Sequence, residues 1–336
     1  MATVYFATNR NPDDKEPPTG YGTSLHPTSP DYLRFGWATV SGKRITIKTA
    51  PEKVEVPEGS EQVLGSAKVF DELHKSMLAG HDTIIYIHGY NVDFKDAVKA
   101  AAEVEKLYGP APGGKRRNVV LFTWPSNGSM LPIMAYKSDR SEARASGGAF
   151  ARGLNKLIKL LVELRKDKKL VCKSSIHLMC HSMGNYVLRN GLQAVRKSGG
   201  LPRVFDEIFL FAADEDYDSF EHDHKLALLP ELGHAVNIYY NSGDLALFTS
   251  DHTKGNPARL GMRGPRQPHT LPGTVHIIDC SPIVGGKVEH SYYLDDKRVV
   301  FDVNQVLAGK GPDLTRTRKY LASQNRYEMK RFTVGK

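Results

Sequence analysis

The chain has 336 residues, 40% of them apolar, which is enough to bury one large core and short for two independent domains. No basic-then-apolar leader opens it and no apolar run approaches bilayer-spanning length, so a membrane-spanning helix is excluded and a cytoplasmic location is expected. The formal charge of +9 invites nucleic acid or anionic lipid, but eight basic residues against two acids from Lys310 onward put six of the nine net charges in the last 27 residues and leave the body nearly balanced.

In chain order, residues 4–8 and 44–50 read as early strands, with a Pro- and Gly-rich stretch at 21–37 between them. Helical sequence covers 66–78. Residues 83–88 form a continuous apolar run, too hydrophobic for a half-exposed strand and therefore central, followed by helical sequence over 94–107. A second such strand spans 119–124, and an irregular stretch from Pro125 leads into a long helical region ending near Lys166. Strands at 176–180, 208–213, 236–240 and 275–278 complete the series. Strands alternating with helices predict an α/β fold with a mainly parallel central sheet and helices on both faces. Residues 1–309 are expected to form one such domain with an N-terminal strand extension. Residues 310–336 are expected to be a basic tail, solvated or loosely docked, with a polyanion or membrane surface as the alternative contact; Tyr320, Tyr327 and Phe332 could equally tie it down. Two long connections, 125–140 and 252–270, read as lid or specificity loops or as plain surface excursions. Cys172, Cys180 and Cys280 lie beside or within apolar segments, as buried free thiols do.

The chemistry-bearing feature is Cys180-His181-Ser182-Met183-Gly184-Asn185, where an apolar strand breaks into helical sequence at a serine. A tight strand-to-helix turn lifts a serine hydroxyl above the sheet in a strained conformation, and Gly184 supplies a small flank. The following helix aims its N-terminus and the Met183 N–H at any oxyanion formed there. The plain alternative is a serine that only caps the helix. His88-Gly89-Tyr90-Asn91 follows the third apolar strand, where a second oxyanion donor belongs, and the Tyr90 N–H is assigned to it. Asp244, in a turn after the strand at 236–240, and His290, beyond the last strand, follow Ser182 in the order nucleophile, acid, histidine. Asp214 also ends a strand and competes with Asp244 for the acid. His88, Gly89, Asn91, Trp124, Tyr136, Asp139 and His181 are expected around the substrate pocket.

Two patterns fall short. Residues 109–116 have glycine and lysine spacing near that of a phosphate loop, but Arg116 stands where Ser or Thr is needed and the segment precedes a strand. Glu221-His222-Asp223-His224 has metal-ligand residue types without metal-site spacing.

Tyr5-Phe6-Ala7-Thr8-Asn9-Arg10, Tyr21-Gly22-Thr23-Ser24-Leu25, Tyr86-Ile87-His88-Gly89-Tyr90-Asn91, Phe122-Thr123-Trp124-Pro125-Ser126, Tyr136 with Asp139, the elbow at His181-Ser182, and His290-Ser291-Tyr292 together resemble a bacterial α/β-hydrolase family of unknown function, described as esterase/lipase superfamily enzymes. The resemblance implies the α/β-hydrolase fold and an esterase-like serine hydrolase with Ser182, Asp244 and His290 as triad; Cys180, where members usually carry a residue such as Ala, is a departure. Joined with the residue-level reading, it leads us to expect cleavage of a small-molecule or lipid-like acyl substrate through an acyl-enzyme, without metal or organic cofactor and without a specific nucleic-acid partner. The rival expectation is a catalytically weak hydrolase-fold scaffold that docks to a polyanion or a membrane surface through the basic tail.

Overall fold

The computed structural model describes residues 1–29, 31–54, 63–126, 132–166, 174–199, 201–248, 257–284, 289–314 and 316–334. They cluster into two compact units, Met1–Ile176 and His177–Lys336.

The first unit carries β1 (Ala2–Thr8), β2 (Arg10–Pro12), β3 (Tyr21–Leu25), β4 (Arg34–Ser41), β5 (Arg44–Thr49), β6 (Lys53–Val54), β7 (Val63–Leu64), α1 (Gly65–Leu78), β8 (Asp82–Ile87), α2 (Phe94–Tyr108), β9 (Arg117–Thr123) and α3 (Pro132–Lys166). Its main strands run in the order β8-β9-β1-β4-β5. The pairs β8·β9 and β9·β1 are parallel, while β1·β4 and β4·β5 are antiparallel. Thr83 through Ile87 are all buried, as the unbroken apolar run demands, whereas β5 alternates exposed and half-buried residues as an edge strand does. β4 lies within and beyond the stretch expected to be irregular. Its Gly36 is required by contact: a Cβ there would sit 2.4 Å from the Lys48 carbonyl oxygen and 2.6 Å from the Phe6 ring. α1 buries Gly65, Val69, Leu73 and Met77, a stripe at helical spacing, and α2 starts at an Asp93 carboxylate that accepts the Asp96 N–H at 2.7 Å. α3 begins at Pro132, so the long connection expected at 125–140 is already helical over its second half.

The second unit opens with β10 (Ile176–His181) and continues through α4 (Gly184–Gly199), β11 (Phe205–Phe211), β12 (Gly233–Tyr240), β13 (Val275–Asp279), a helix at Lys297–Leu307, β14 (Arg318–Leu321) and β15 (Arg326–Met329). The strand order is β10-β11-β12-β13-β15-β14, parallel except for the terminal pair β14·β15. Within 252–270, whose first part lies outside the described residues, a helical turn at Leu260–Arg263 and a 3-10 turn at Pro268–Thr270 replace an open loop. Among the described residues no helix is long and apolar enough to cross a membrane.

The basic segment after Lys310 departs from the expected loosely docked tail, because it supplies the edge hairpin β14·β15. Two of its cations are paired with carboxylates of the same unit. The Arg318 guanidinium binds Asp302 at 2.7 Å and the Tyr239 hydroxyl at 2.8 Å, and Tyr239 in turn donates to Asp302 at 2.7 Å. Arg326 pairs with Asp279 at 3.0 Å, and the Tyr327 hydroxyl donates to Asp313 at 2.9 Å. The Asp302 side chain is 0% exposed and that of Arg318 1%, so neither tolerates loss of the other. Asp302→Ala should therefore lower unfolding free energy by about 3–5 kcal/mol in urea titration; a loss under about 1 kcal/mol would mean that the hairpin is not tied to the unit through this pair.

Candidate active site

β10 is buried at every position from Ile176 to His181, and the chain then turns at Ser182 into α4. Ser182 has φ +52°, in the left-handed region that non-glycine residues enter at a cost of about 1–3 kcal/mol. The turn is held from both sides. The Ser182 N–H donates to the Phe211 carbonyl at 3.0 Å, while the Ser182 carbonyl accepts from the Asn185 and Asp214 N–H groups at 3.1 and 3.2 Å. It also accepts the Asn185 side-chain amide at 2.9 Å. Met183, next in the turn, is fully buried. Cys180 is a buried free thiol, and burial pushes its pKa up, as it does for Cys280; Cys172 lies outside the described residues.

His290 and Asp244 meet in the same unit. The His290 Nδ1 lies 2.7 Å from Asp244 Oδ2, and the Asp244 side chain is 0% exposed. Asp244 Oδ1 accepts the Leu247 N–H at 3.0 Å, so each carboxylate oxygen has a donor and the imidazole proton is fixed on Nδ1. The Glu289 carbonyl accepts from the Asn241 amide at 3.3 Å, and the His290 carbonyl accepts from His181 Nε2 at 3.1 Å. Asp214 is engaged elsewhere: Arg259 Nε lies 3.2 Å from its Oδ1, and Arg259 Nη1 binds Asp216 at 2.7 Å. Gly261, two residues after Arg259, packs on the same turn: a Cβ there would come within 2.2 Å of the Ala212 backbone. Asp279 is likewise occupied, by Arg326.

In the first unit the residues expected around a pocket form a hydrogen-bonded core beneath the loop after β8. His88 donates from Nδ1 to the Gly89 carbonyl at 2.9 Å, and its Nε2 faces the Thr123 hydroxyl at 3.1 Å and accepts the Trp124 N–H at 3.3 Å. Trp124 is fully buried, stacks on the His88 ring and donates from Nε1 to the His88 carbonyl at 3.0 Å. Asp139 accepts the Ser126 hydroxyl at 2.6 Å and the Asn91 N–H at 3.3 Å; Asn91 has φ +58°. Tyr90 is half-buried, with its ring 5.9 Å from that of Tyr136, which is itself buried.

Sequence reasoning assigned no role to Arg10, which is fully buried. It donates to the Thr123 hydroxyl at 2.9 Å, to the Gly22 carbonyl at 3.1 Å and to the Val92 carbonyl at 2.8 Å. Asn185 and Tyr292 were also passed over, although both stand inside the quoted motifs. Among the described residues no three His, Cys, Asp or Glu side chains converge as a metal-binding group, and the Glu221 and His222 of the metal-like segment pair with Arg266 and Asp218.

A parallel sheet with helices, a serine at a left-handed strand-to-helix turn and a histidine–aspartate pair carried on later loops of the same unit define the α/β-hydrolase class. A family model for alpha/beta hydrolases of unknown function (DUF900) matches residues 66–310, most of the chain, and the chain belongs to that family. No curated protein matches it.

Burial, and next the Arg10 charge, push the His88 pKa from 6.5 down to about 3. Between those values the unfolded chain binds a proton that the native state refuses, so this group's contribution lowers stability as pH falls through that window. Urea titrations at pH 7 and pH 4.5 should therefore show the wild type losing roughly 2 kcal/mol more on acidification than His88→Asn; equal losses would mean that His88 is not held neutral.

Proposed function

We propose that this chain is a serine hydrolase, esterase-like, that cleaves a carboxylic ester or related acyl bond of a small or lipid-like substrate through an acyl-enzyme. The observation that carries the reading is Ser182 at φ +52°, a strained backbone at the one turn where an α/β hydrolase keeps its nucleophile. The 2.7 Å contact of His290 Nδ1 with Asp244 supports it, because a proton fixed on Nδ1 leaves the Nε2 lone pair to act as base.

In this mechanism His290 Nε2 takes the Ser182 hydroxyl proton as Oγ bonds to the acyl carbon, and the carbonyl π pair moves onto its oxygen. Asp244 stabilises the imidazolium without taking its proton. The Met183 N–H at the start of α4 faces the oxyanion, and the Tyr90 N–H is the second donor on the sequence argument. Collapse of the tetrahedral intermediate expels the leaving group, which receives the proton from His290. Water, deprotonated by His290, then attacks the acyl carbon; as the second tetrahedral intermediate collapses, the bond to Oγ breaks, His290 returns the proton to Ser182 Oγ, and the acid is released. Since the triad reads the carbonyl and not the leaving group, thioesters and amides fall within the same chemistry.

Ser182→Ala should lose both p-nitrophenyl ester turnover and labelling by a fluorophosphonate probe while its urea midpoint stays near wild type. Persistent turnover in that variant, or folded wild-type protein that the probe does not label, would reject the reading.

The two candidate acids separate by kind of damage. Asp244→Asn should lower kcat by about a thousandfold or more with little change in stability. Asp214→Asn should instead lower the urea midpoint, since it leaves the buried Arg259 with a neutral neighbour, and spare kcat in the folded fraction. The opposite pattern would transfer the acid to Asp214.

A further inference from the structure

Resting on the serine-hydrolase reading, we propose that His181 is a positioning residue that locks the peptide of the general base to the nucleophile turn. His290 stands on the connection that follows β13, and two side chains grip it at different atoms. The imidazole is gripped by Asp244 at 2.7 Å. The main chain is gripped by His181, whose Nε2 lies 3.1 Å from the His290 carbonyl oxygen. A carbonyl can only accept, so this contact puts a proton on His181 Nε2.

The His181 ring is itself immobilised. It is 8% exposed and contacts the His290 ring, with centroids 4.7 Å apart, and the Tyr293 ring, 4.8 Å away. Tyr293 in turn stacks on Phe211 at 4.9 Å, and Phe211 supplies the carbonyl that holds the Ser182 N–H at 3.0 Å. His181 is also the last residue of β10, covalently joined to Ser182. One side chain therefore ties the histidine-bearing segment to the residue bonded to the nucleophile, with its polar edge on the base's own peptide and its ring against two others. Asp244 fixes which nitrogen carries the imidazole proton; His181 fixes the peptide from which that imidazole hangs.

The alternatives to positioning are a packing ring and a substrate contact, and two variants distinguish them. His181→Phe keeps an aromatic ring and removes the N–H; His181→Gln keeps a donor of similar reach. Against a p-nitrophenyl ester, His181→Phe should lower kcat by about 10- to 100-fold with KM within about twofold, because a base displaced by a fraction of an ångström loses its transfer geometry. The rate of fluorophosphonate labelling should fall in parallel, and His181→Gln should recover much of both. Unchanged kcat in His181→Phe would reduce His181 to packing, and a raised KM with unchanged kcat would make it a substrate contact; either overturns the proposal.

Proton NMR separates this failure from failure of the hydrolase reading. The downfield His290 Nδ1 proton bound to Asp244, identified by its loss in His290→Gln, should broaden or vanish in His181→Phe and return in His181→Gln. Persistence of an unaltered resonance in His181→Phe would overturn positioning even if the wild type proved to have no esterase activity. Should His181→Phe fail to fold, a resonance and kcat at wild-type level in His181→Ala or a His181→Gln without recovery would overturn it equally.

Discussion

The left-handed backbone at Ser182 is the constraint on which the second unit is arranged. A conformation costing about 1–3 kcal/mol persists only where its neighbours leave no alternative, and here they engage both peptide groups of the serine. Phe211 and Asp214, which supply two of those contacts, flank a turn that contains a second left-handed residue, Ala212 at φ +44°. The Ala212 N–H donates to the Tyr292 hydroxyl at 2.8 Å, and that hydroxyl donates to the Tyr239 carbonyl at 2.8 Å. Tyr292 stands two residues after His290. A single phenol thus fixes the bracket of the serine turn and the segment that carries the histidine, and it does so from the middle of the sheet.

The same logic explains which parts of the fold were legible in the sequence. Strands buried on both faces announce themselves as unbroken apolar runs, so β8, β9, β10, β12 and β13 were found within one to three residues of their ends. β4 was not, because Gly36 and Arg34 interrupt its pattern for reasons that reside in Phe6, Lys48 and Ala50, residues distant in sequence. The serine turn was legible as a motif, since strand, serine and helix are contiguous. Its supports were less so: Asn185 carries no periodic or charge signal, and the hold of Arg259 on Asp214 joins residues 45 apart. Local patterns specify elements, whereas the contacts that choose between two aspartates are long-range.

Charge was the weakest guide. Basic residues near a chain end look solvated when counted, yet Arg318 lies between Tyr239, Tyr327 and Asp302, with its guanidinium 5.5 and 5.8 Å from the two ring centroids. Arg10 is the corresponding case in the first unit. Burial there pushes its pKa down to about 9 against the opposing pull of Asp93, Glu142 and Asp139, and its donors are met by two carbonyls, the Thr123 hydroxyl and a neutral His88. A neutral imidazole beside a buried guanidinium is the arrangement electrostatics requires, because protonating His88 would place two cations 3.5 Å apart in a medium that screens them poorly. Both arginines hold strands and loops of their own unit together through buried hydrogen bonds.

The preference for Asp244 over Asp214 under the proposed mechanism follows from the same electrostatics. Both aspartates emerge after neighbouring strands, β11 and β12, and both are buried. Stabilising an imidazolium requires a carboxylate whose charge is not already neutralised. Asp214 faces the guanidinium of Arg259, itself fully buried, so its field is largely cancelled at short range and its geometry is committed to that cation. The spare oxygen of Asp244 is held instead by the Leu247 amide N–H, a dipole that orients the carboxylate while leaving its full charge for the histidine. Under that mechanism the two aspartates diverge by their neighbours: the Arg259 cation at Asp214 Oδ1 makes one an anchor, and the Leu247 N–H at Asp244 Oδ1 leaves the other able to support a charge that develops during the reaction.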